Sequence, residues 1–233
     1  MSQPGSRRLA SDQMRFPLVR EPRARFAAFM RGPSNRAAAE TLDQWPIPGE
    51  SILALIGPEG AGKSHLAADW AERVGATGFQ GDEVRLEDLS ELEGRAILLD
   101  DADRTDDEIL FHLMNLARLP GGALLLTSRG TLAGRDTRVP DLRSRLDSVR
   151  AVRMETPDET VLAAALRRFF DERAMTPADD LIDYLVLRMD RSIPAARAMV
   201  ARLDVEAGGR KLNRALAREL FEAETAELFQ PQP

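Results

Sequence analysis

The chain has 233 residues, 43% of them apolar, with 32 basic and 38 acidic side chains and a formal net charge of −6. This composition supplies a sizeable core and excludes both a disordered chain and a uniformly basic nucleic-acid coat. With no cysteine and two histidines, His65 and His112, it excludes disulfides, thiol catalysis, Cys-ligated zinc and a His-rich metal site.

No apolar run approaches transmembrane length, and the first residues, MSQPGSRRLASDQ, lack the apolar stretch of a secretory signal. A cytoplasmic protein without a membrane partner is the expectation. Of the 32 basic residues only Lys63 and Lys211 are lysine. In so Arg-biased a chain, a lysine marks a place where an ammonium does what a guanidinium does not.

Residues 1–25 read as an N-terminal tail, polar at first and then extended around Pro17 and Pro22. Ser34 is placed to cap a helix over NRAAAETLDQW, which Pro46 and Pro48 end. The next segments alternate. Strands are predicted at 51–57 (SILALIG), 95–100 (RAILLD), 122–128 (GALLLTS) and 149–154 (VRAVRM), with helices at 63–74 and 106–119 between them. Apolar strands separated by helices predict a parallel sheet covered on both faces, an α/β domain over 26–156. After Pro157 the strand signals stop. Three capped helical segments and a fourth from near Leu212 predict a small all-helical lid domain over 157–233.

Gly57-Pro58-Glu59-Gly60-Ala61-Gly62-Lys63-Ser64 fits G-x-x-x-x-G-K-[ST], with a strand before it and a helix at its end. Such a P-loop turns backbone N–H groups inward around phosphate oxygens, and the helix N-terminus adds partial positive charge. Lys63 is placed for the β and γ phosphates and Ser64 for Mg2+. Pro58, Glu59, Gly60, Ala61 and Gly62, with His65 directly after Ser64, complete the expected ATP or ADP contacts. The apolar strand AILL ends in Asp100 and Asp101. Asp100 is the candidate for the Mg2+ shell, and Asp101 for the base that polarises an attacking water; an acidic helix start is the alternative reading. Thr127 and Ser128 end another core strand in hydroxyls at a position suited to sensing a γ-phosphate.

Asp141-Leu142-Arg143-Ser144-Arg145-Leu146 carries two arginines in a short helical segment. An arginine there points toward a neighbouring subunit's phosphates or is a plain surface residue. Near the front, Gln13 precedes Met14, Phe16 and Leu18, which alternation places on one side of an extended segment with Pro17. That pattern suits a short peptide docking in a groove of a partner, or a strand packed on its own domain.

GPEGAGKSHL, AILLDD, LLLTSRG and VPDLRSRLDSV, in this order, resemble the AAA+ domain of the bacterial replication initiator DnaA. FMRGPSNRAA resembles that family's lead-in segment, which implies a place for Asn35 near the adenine. QMRFPL is similar to the peptide with which such proteins bind the bacterial sliding clamp, and 29 residues after Asp204 are too few for the initiator's DNA-binding domain. The combination resembles the Hda-type AAA+ regulators of replication initiation. The resemblance implies a negative regulator that docks on the clamp through Gln13, Met14, Phe16, Pro17 and Leu18. It further implies that Arg145 enters the ATP site of DnaA in trans to stimulate hydrolysis there. It implies weak hydrolysis by the chain itself, no sequence-specific DNA binding, and allows a homodimer through the nucleotide face. An autonomous AAA+ ATPase or helicase-loader-like protein is the alternative. Two positions depart from the family pattern. Arg129 stands where DnaA has an Asp, and Pro194 stands at the lid's sensor arginine, with Arg191 and Arg197 nearby.

Overall fold

The computed structural model describes residues 29–208 and 210–228. Five strands form one parallel sheet: β1 (Ile52–Ile56), β2 (Thr77–Gln80), β3 (Ala96–Asp100), β4 (Ala123–Ser128) and β5 (Arg150–Arg153). Their order across the sheet is β2-β3-β4-β1-β5. Helices α1 (Arg36–Gln44), α2 (Lys63–Val74), α3 (Asp107–Ala117) and α4 (Pro140–Asp147) belong to the same α/β layer structure. Helices α5 (Glu159–Asp171), α6 (Asp179–Val186), α7 (Ile193–Ala207) and α8 (Arg214–Leu228) follow.

Strand periodicity explains why the central strands are apolar at successive positions up to their carboxyl ends. Leu53, Leu55, Leu98 and Leu125 face one side and pack on Leu42 of α1 and Leu66, Ala67 and Trp70 of α2. Their neighbours Ala54, Ile56, Ile97, Leu99, Leu124 and Leu126 face the other side and meet Leu110, Leu113 and Met114 of α3 and Leu142 and Leu146 of α4. Both faces are covered, so polar residues enter these central strands only at their carboxyl ends.

Two edges differ from the sequence expectation. The sheet has a fifth strand, β2, in the Gly-flanked segment TGFQ, which carries no apolar run. The β5 segment forms the opposite edge, and three of its four residues are exposed. An edge strand has one neighbour to satisfy its backbone and needs no continuous apolar side-chain row.

The helices after Pro157 bury a second core of Leu162, Leu166, Phe169, Phe170, Leu185 and Leu203, among others. Several of the helices start on a side-chain cap. Asp106 accepts from the Glu108 N–H (2.8 Å), Ser192 from Ala195 (3.1 Å) and Asn213 from Leu216 (3.1 Å). Gly75 and Gly208, both at positive φ, close α2 and α7. Among the described residues no helix is long and apolar enough to cross a membrane.

Ser34 does not cap α1. Asn35 occupies that position, and Ser34 instead ties the lead-in segment to the start of α5. Its N–H donates to the Asp158 carboxylate (2.8 Å), and its hydroxyl accepts from the Asp158 N–H (3.2 Å). Asp158 also caps α5, accepting from Val161 N–H at 3.1 Å. Burial alone would raise the Asp158 pKa, but the Ser34, Val161 and Thr160 hydrogen bonds outweigh it and hold the carboxyl below its ordinary range. A depressed carboxyl contributes stability above its unfolded pKa, near ~4, and loses it as pH falls through the folded value. Asp158→Asn is therefore expected to flatten the loss of stability below about pH 4, read from urea melts across that range. Asp158→Ala is expected to cost about 1–2 kcal/mol at neutral pH.

Candidate nucleotide-binding site

The carboxyl ends of β1, β3 and β4 lie side by side, where open α/β sheets hold their ligands. The loop of residues 57–62 leaves β1 and runs into α2. It is pinned to β4 by the Gly57 N–H, which donates to the Ser128 carbonyl at 3.3 Å. Gly60 has φ 77°, and a Cβ there would stand 2.5 Å from the Ser192 Cβ. The Ile193 N–H donates to the Gly60 carbonyl at 2.9 Å. The start of α7 thus rests directly on the loop, and only glycine permits that approach.

Lys63 opens α2 with 7% of its surface exposed. Its ammonium donates to the Gly57 carbonyl at 2.8 Å and to the Pro58 carbonyl at 2.9 Å. Burial pushes its pKa below the usual lysine range, against the pull of Asp101 and Asp100. A buried ammonium bound to two neutral carbonyls, beside the N-terminus of a helix, forms a receptor for an anion. These residues fit a phosphate chain.

Asp100 is 8% exposed and ends β3. Register places β4 between β3 and β1, so Thr127 stands beside it. The Thr127 hydroxyl donates to Asp100 Oδ1, and Thr127 Oγ1 itself accepts from the Asp101 N–H at 2.9 Å. Gln80 of β2 donates weakly to the other Asp100 oxygen, at 3.4 Å. One carboxylate oxygen is therefore oriented by a hydroxyl inside a dry sheet end. Asp101 leaves the strand in the left-handed region, at φ 57°. Burial raises its pKa, and the charges of Asp100 and Asp103 add to that.

Asp101's turn is held by a neighbour that sequence reading passed over. A Cβ on Gly81 would lie 2.2 Å from the Asp101 carbonyl oxygen and 2.7 Å from Thr105 Oγ1. Gly81→Ala is expected to cost about 1–3 kcal/mol by chemical denaturation. Gly78→Ala, where nothing lies within 4 Å, is the control and is expected to cost little. Arg135 clamps the same turn. It donates to the Ala102 carbonyl at 3.0 Å and to the Thr105 carbonyl, and pairs with Asp107 at 2.9 Å. As one of many arginines it has no distinguishing sequence signal.

Lys63, Asp100, Asp101 and the loop residues Pro58, Glu59, Gly60, Ala61 and Gly62 therefore share one sheet end. Ser64, exposed in the first turn of α2, belongs to the same edge. His65 stacks edge-on with Phe29, ring centroids 5.6 Å apart, and so joins the lead-in segment to α2. Asn35 is 3% exposed, and its amide is engaged by the lead-in turn. It donates to the Met30 carbonyl and accepts from the Gly32 N–H, both at 2.9 Å.

Arg145 sits elsewhere, on α4 against α3. It donates to the Asn115 side chain, pairs with Asp141 at 2.6 Å and lies 4.6 Å from the Phe111 ring centroid. Arg143, on the same helix, is exposed. Gln13, Met14, Phe16, Pro17 and Leu18 lie outside the described residues.

No family model and no curated protein matches the chain. Solved structures do. Domain III of the replication initiation protein DnaA from Thermotoga maritima superposes with a TM-score of 0.70 at 19% identity, covering 85% of this chain and 95% of that one. AMPPCP-bound DnaA from Aquifex aeolicus gives 0.65 at 19% identity, over 85% of this chain and 68% of that one. The RuvB Holliday junction branch migration motor of Thermotoga maritima gives 0.58 at 16% identity, over 74% of this chain and 61% of that one. The sheet order, the loop at the end of β1 and these likenesses make this an α/β P-loop fold of the AAA+ type.

Proposed function

We propose that the chain is a nucleotide-dependent regulator of replication initiation of the Hda type. In this reading residues 26–156 bind ADP or ATP with Mg2+, 157–233 form the lid, and 1–25 carry the clamp peptide. The observation that carries it is the joined set of Lys63, Asp100, Thr127 and the loop, in a fold that covers 95% of a solved DnaA domain III. Lys63 neutralises phosphate oxygens, and the loop amides and the α2 start orient them. Ser64 and Asp100 hold Mg2+, which supplies charge neutralisation between phosphates when bound. Among the described residues no group of three His, Asp or Glu side chains suits a metal by itself.

Gln13, Met14, Phe16, Pro17 and Leu18 tether the protein to the sliding clamp, which raises its effective concentration near DnaA. Arg145 then acts on the initiator's nucleotide in trans. The test follows turnover of ATP bound to the initiator, on clamp-loaded DNA, with and without this protein. Acceleration that requires both clamp and protein supports the proposal. Absence of acceleration, or full clamp binding by the Gln13→Ala, Phe16→Ala double variant, contradicts it.

The position of Asp101, leaving β3 directly after Asp100 at the same sheet end as the phosphate loop, supports a second reading, an autonomous AAA+ ATPase that uses Asp101 as base. Steady hydrolysis without the initiator, lost in Asp101→Asn, would select that reading.

A further inference from the structure

Two guanidiniums converge on one ring in the helical part of the chain. Arg188, just past the end of α6, lies 4.0 Å from the Tyr184 ring centroid. Arg214, the first residue of α8, lies 4.9 Å from the same centroid. The ring itself is buried and neighbours Phe221 of α8, with centroids 6.2 Å apart. Both arginines are exposed, and so is Lys211, three positions ahead of Arg214. The loop that carries Lys211 is tied to the start of α6, where the Ala178 N–H donates to the Leu212 carbonyl at 3.4 Å. Arg188 and Arg214 stand on α6 and α8, whereas the phosphate loop is met by Ser192, Ile193 and Pro194 at the start of α7.

Among the described residues neither Arg188 nor Arg214 has a carboxylate at ion-pair distance, although Asp180 and Asp183 stand on α6. Other arginines of these helices are neutralised. Arg173, Arg191 and Arg197 each hold a carboxylate, and Arg210 and Arg218 take up Glu219 and Glu222 of α8. A guanidinium laid on an aromatic ring is held in place while its N–H fork stays free for a bidentate anion. Two such forks without counter-charge repel each other, and an anion placed between them removes that cost. In a chain of net charge −6 this is a local exception.

The chemistry favours phosphate over the carboxylates of a protein partner. Lysine is depleted at protein–protein interfaces but serves as a point-charge phosphate binder, and Lys211 is one of only two lysines in the chain. Tyr184 lies beneath the guanidiniums, so the cluster presents no aromatic anchor to a protein and no platform on which a base could stack. Contact therefore stops at the backbone, which carries no sequence information.

We propose that Arg188, Arg214 and Lys211 form a contact surface for the phosphate backbone of nucleic acid, blind to base sequence. Tyr184 is the positioning residue that holds the two forks together. The inference uses none of the nucleotide-site residues and stands or falls apart from them.

The experiment measures binding of the full chain to a fluorescent DNA duplex of arbitrary sequence by anisotropy, across a salt series. The Arg188→Gln, Arg214→Gln double variant is expected to weaken binding about 10-fold or more at low salt. It is also expected to flatten the slope of log affinity against log salt by about 0.9 for each contact removed. Lys211→Gln, a single change on an exposed loop, is expected to flatten it by about one such step. Arg95→Gln with Arg118→Gln changes the net charge equally at exposed positions in the α/β layers and is expected to leave affinity within about twofold. Thermal melts confirm that each variant is folded. Equal loss in the control pair, an unchanged slope in Lys211→Gln, or no binding of duplex by the wild-type chain overturns the inference. So does displacement of the duplex by an equal charge concentration of polyglutamate, which would assign the surface to an acidic protein.

Discussion

Lys63→Ala is expected to lower nucleotide affinity by about 100-fold or more, because two charge-assisted contacts at about 1.5–3 kcal/mol each are lost from a dry site. The lysine is buried at the start of α2 and lies against the Gly57 and Pro58 carbonyls. Its position is fixed by the loop, so phosphate meets a preorganised charge and loses little entropy on binding. Lys63→Arg is expected to fail nearly as fully. A planar fork is wider than an ammonium and has no room between two carbonyls 2.8 and 2.9 Å from one nitrogen. Calorimetric titration checks both variants, and a thermal melt confirms that each is folded. Near wild-type affinity in either would remove the loop from the account.

The second large effect falls on the partner. Arg145→Ala is expected to reduce the stimulation of initiator-bound ATP hydrolysis by about 10- to 1,000-fold, below the range of arginine fingers in GTPase systems. Arg143→Ala is expected to leave it within about twofold. The proposed role draws on the way Arg145 is seated. Asn115, Asp141 and the Phe111 ring hold the guanidinium, yet its Nε is buried without an acceptor. An unsatisfied buried donor is a standing cost that a bidentate anion removes. Asp141→Asn weakens the seat and is expected to keep or raise stimulation. Arg145→Lys keeps the charge but not the fork and is expected to lose stimulation. Thermal melts separate loss of the α3–α4 staple from loss of the contact in trans.

Much of this fold is legible in sequence because its signals are local and strong. ILALI, AILL and ALLL are apolar at successive positions, as strands covered on both faces must be. GPEGAGKS is a contiguous motif whose glycines are dictated by backbone approach. β2 escapes the same reading because an edge strand of four residues with one glycine has no apolar signature. The cap of α1 escapes it for another reason. Ser34 is a capping residue type, but its N–H and hydroxyl are engaged by Asp158, 124 positions away, and the Asn35 side chain at the cap position turns to Gly32 and Met30. The site follows the same division. Lys63 and Asp100 carry their own motif. Thr127 orients Asp100 only because sheet order inserts β4 between β3 and β1, and strand order is not written in any one segment. Gly81 and Arg135 act through contacts with residues 20 to 33 positions distant, so their roles appear only once the chain is folded.

The central claim is that a guanidinium from this chain completes a nucleotide site belonging to another protein. It is tested most directly by a structure of this chain bound to clamp and to DnaA loaded with a non-hydrolysable ATP analogue. The account predicts the Arg145 guanidinium released from Asp141 and about 3 Å from the analogue's terminal phosphate. A complex in which α4 faces away from the initiator, with Arg145 still seated on Asn115 and Phe111, would contradict it.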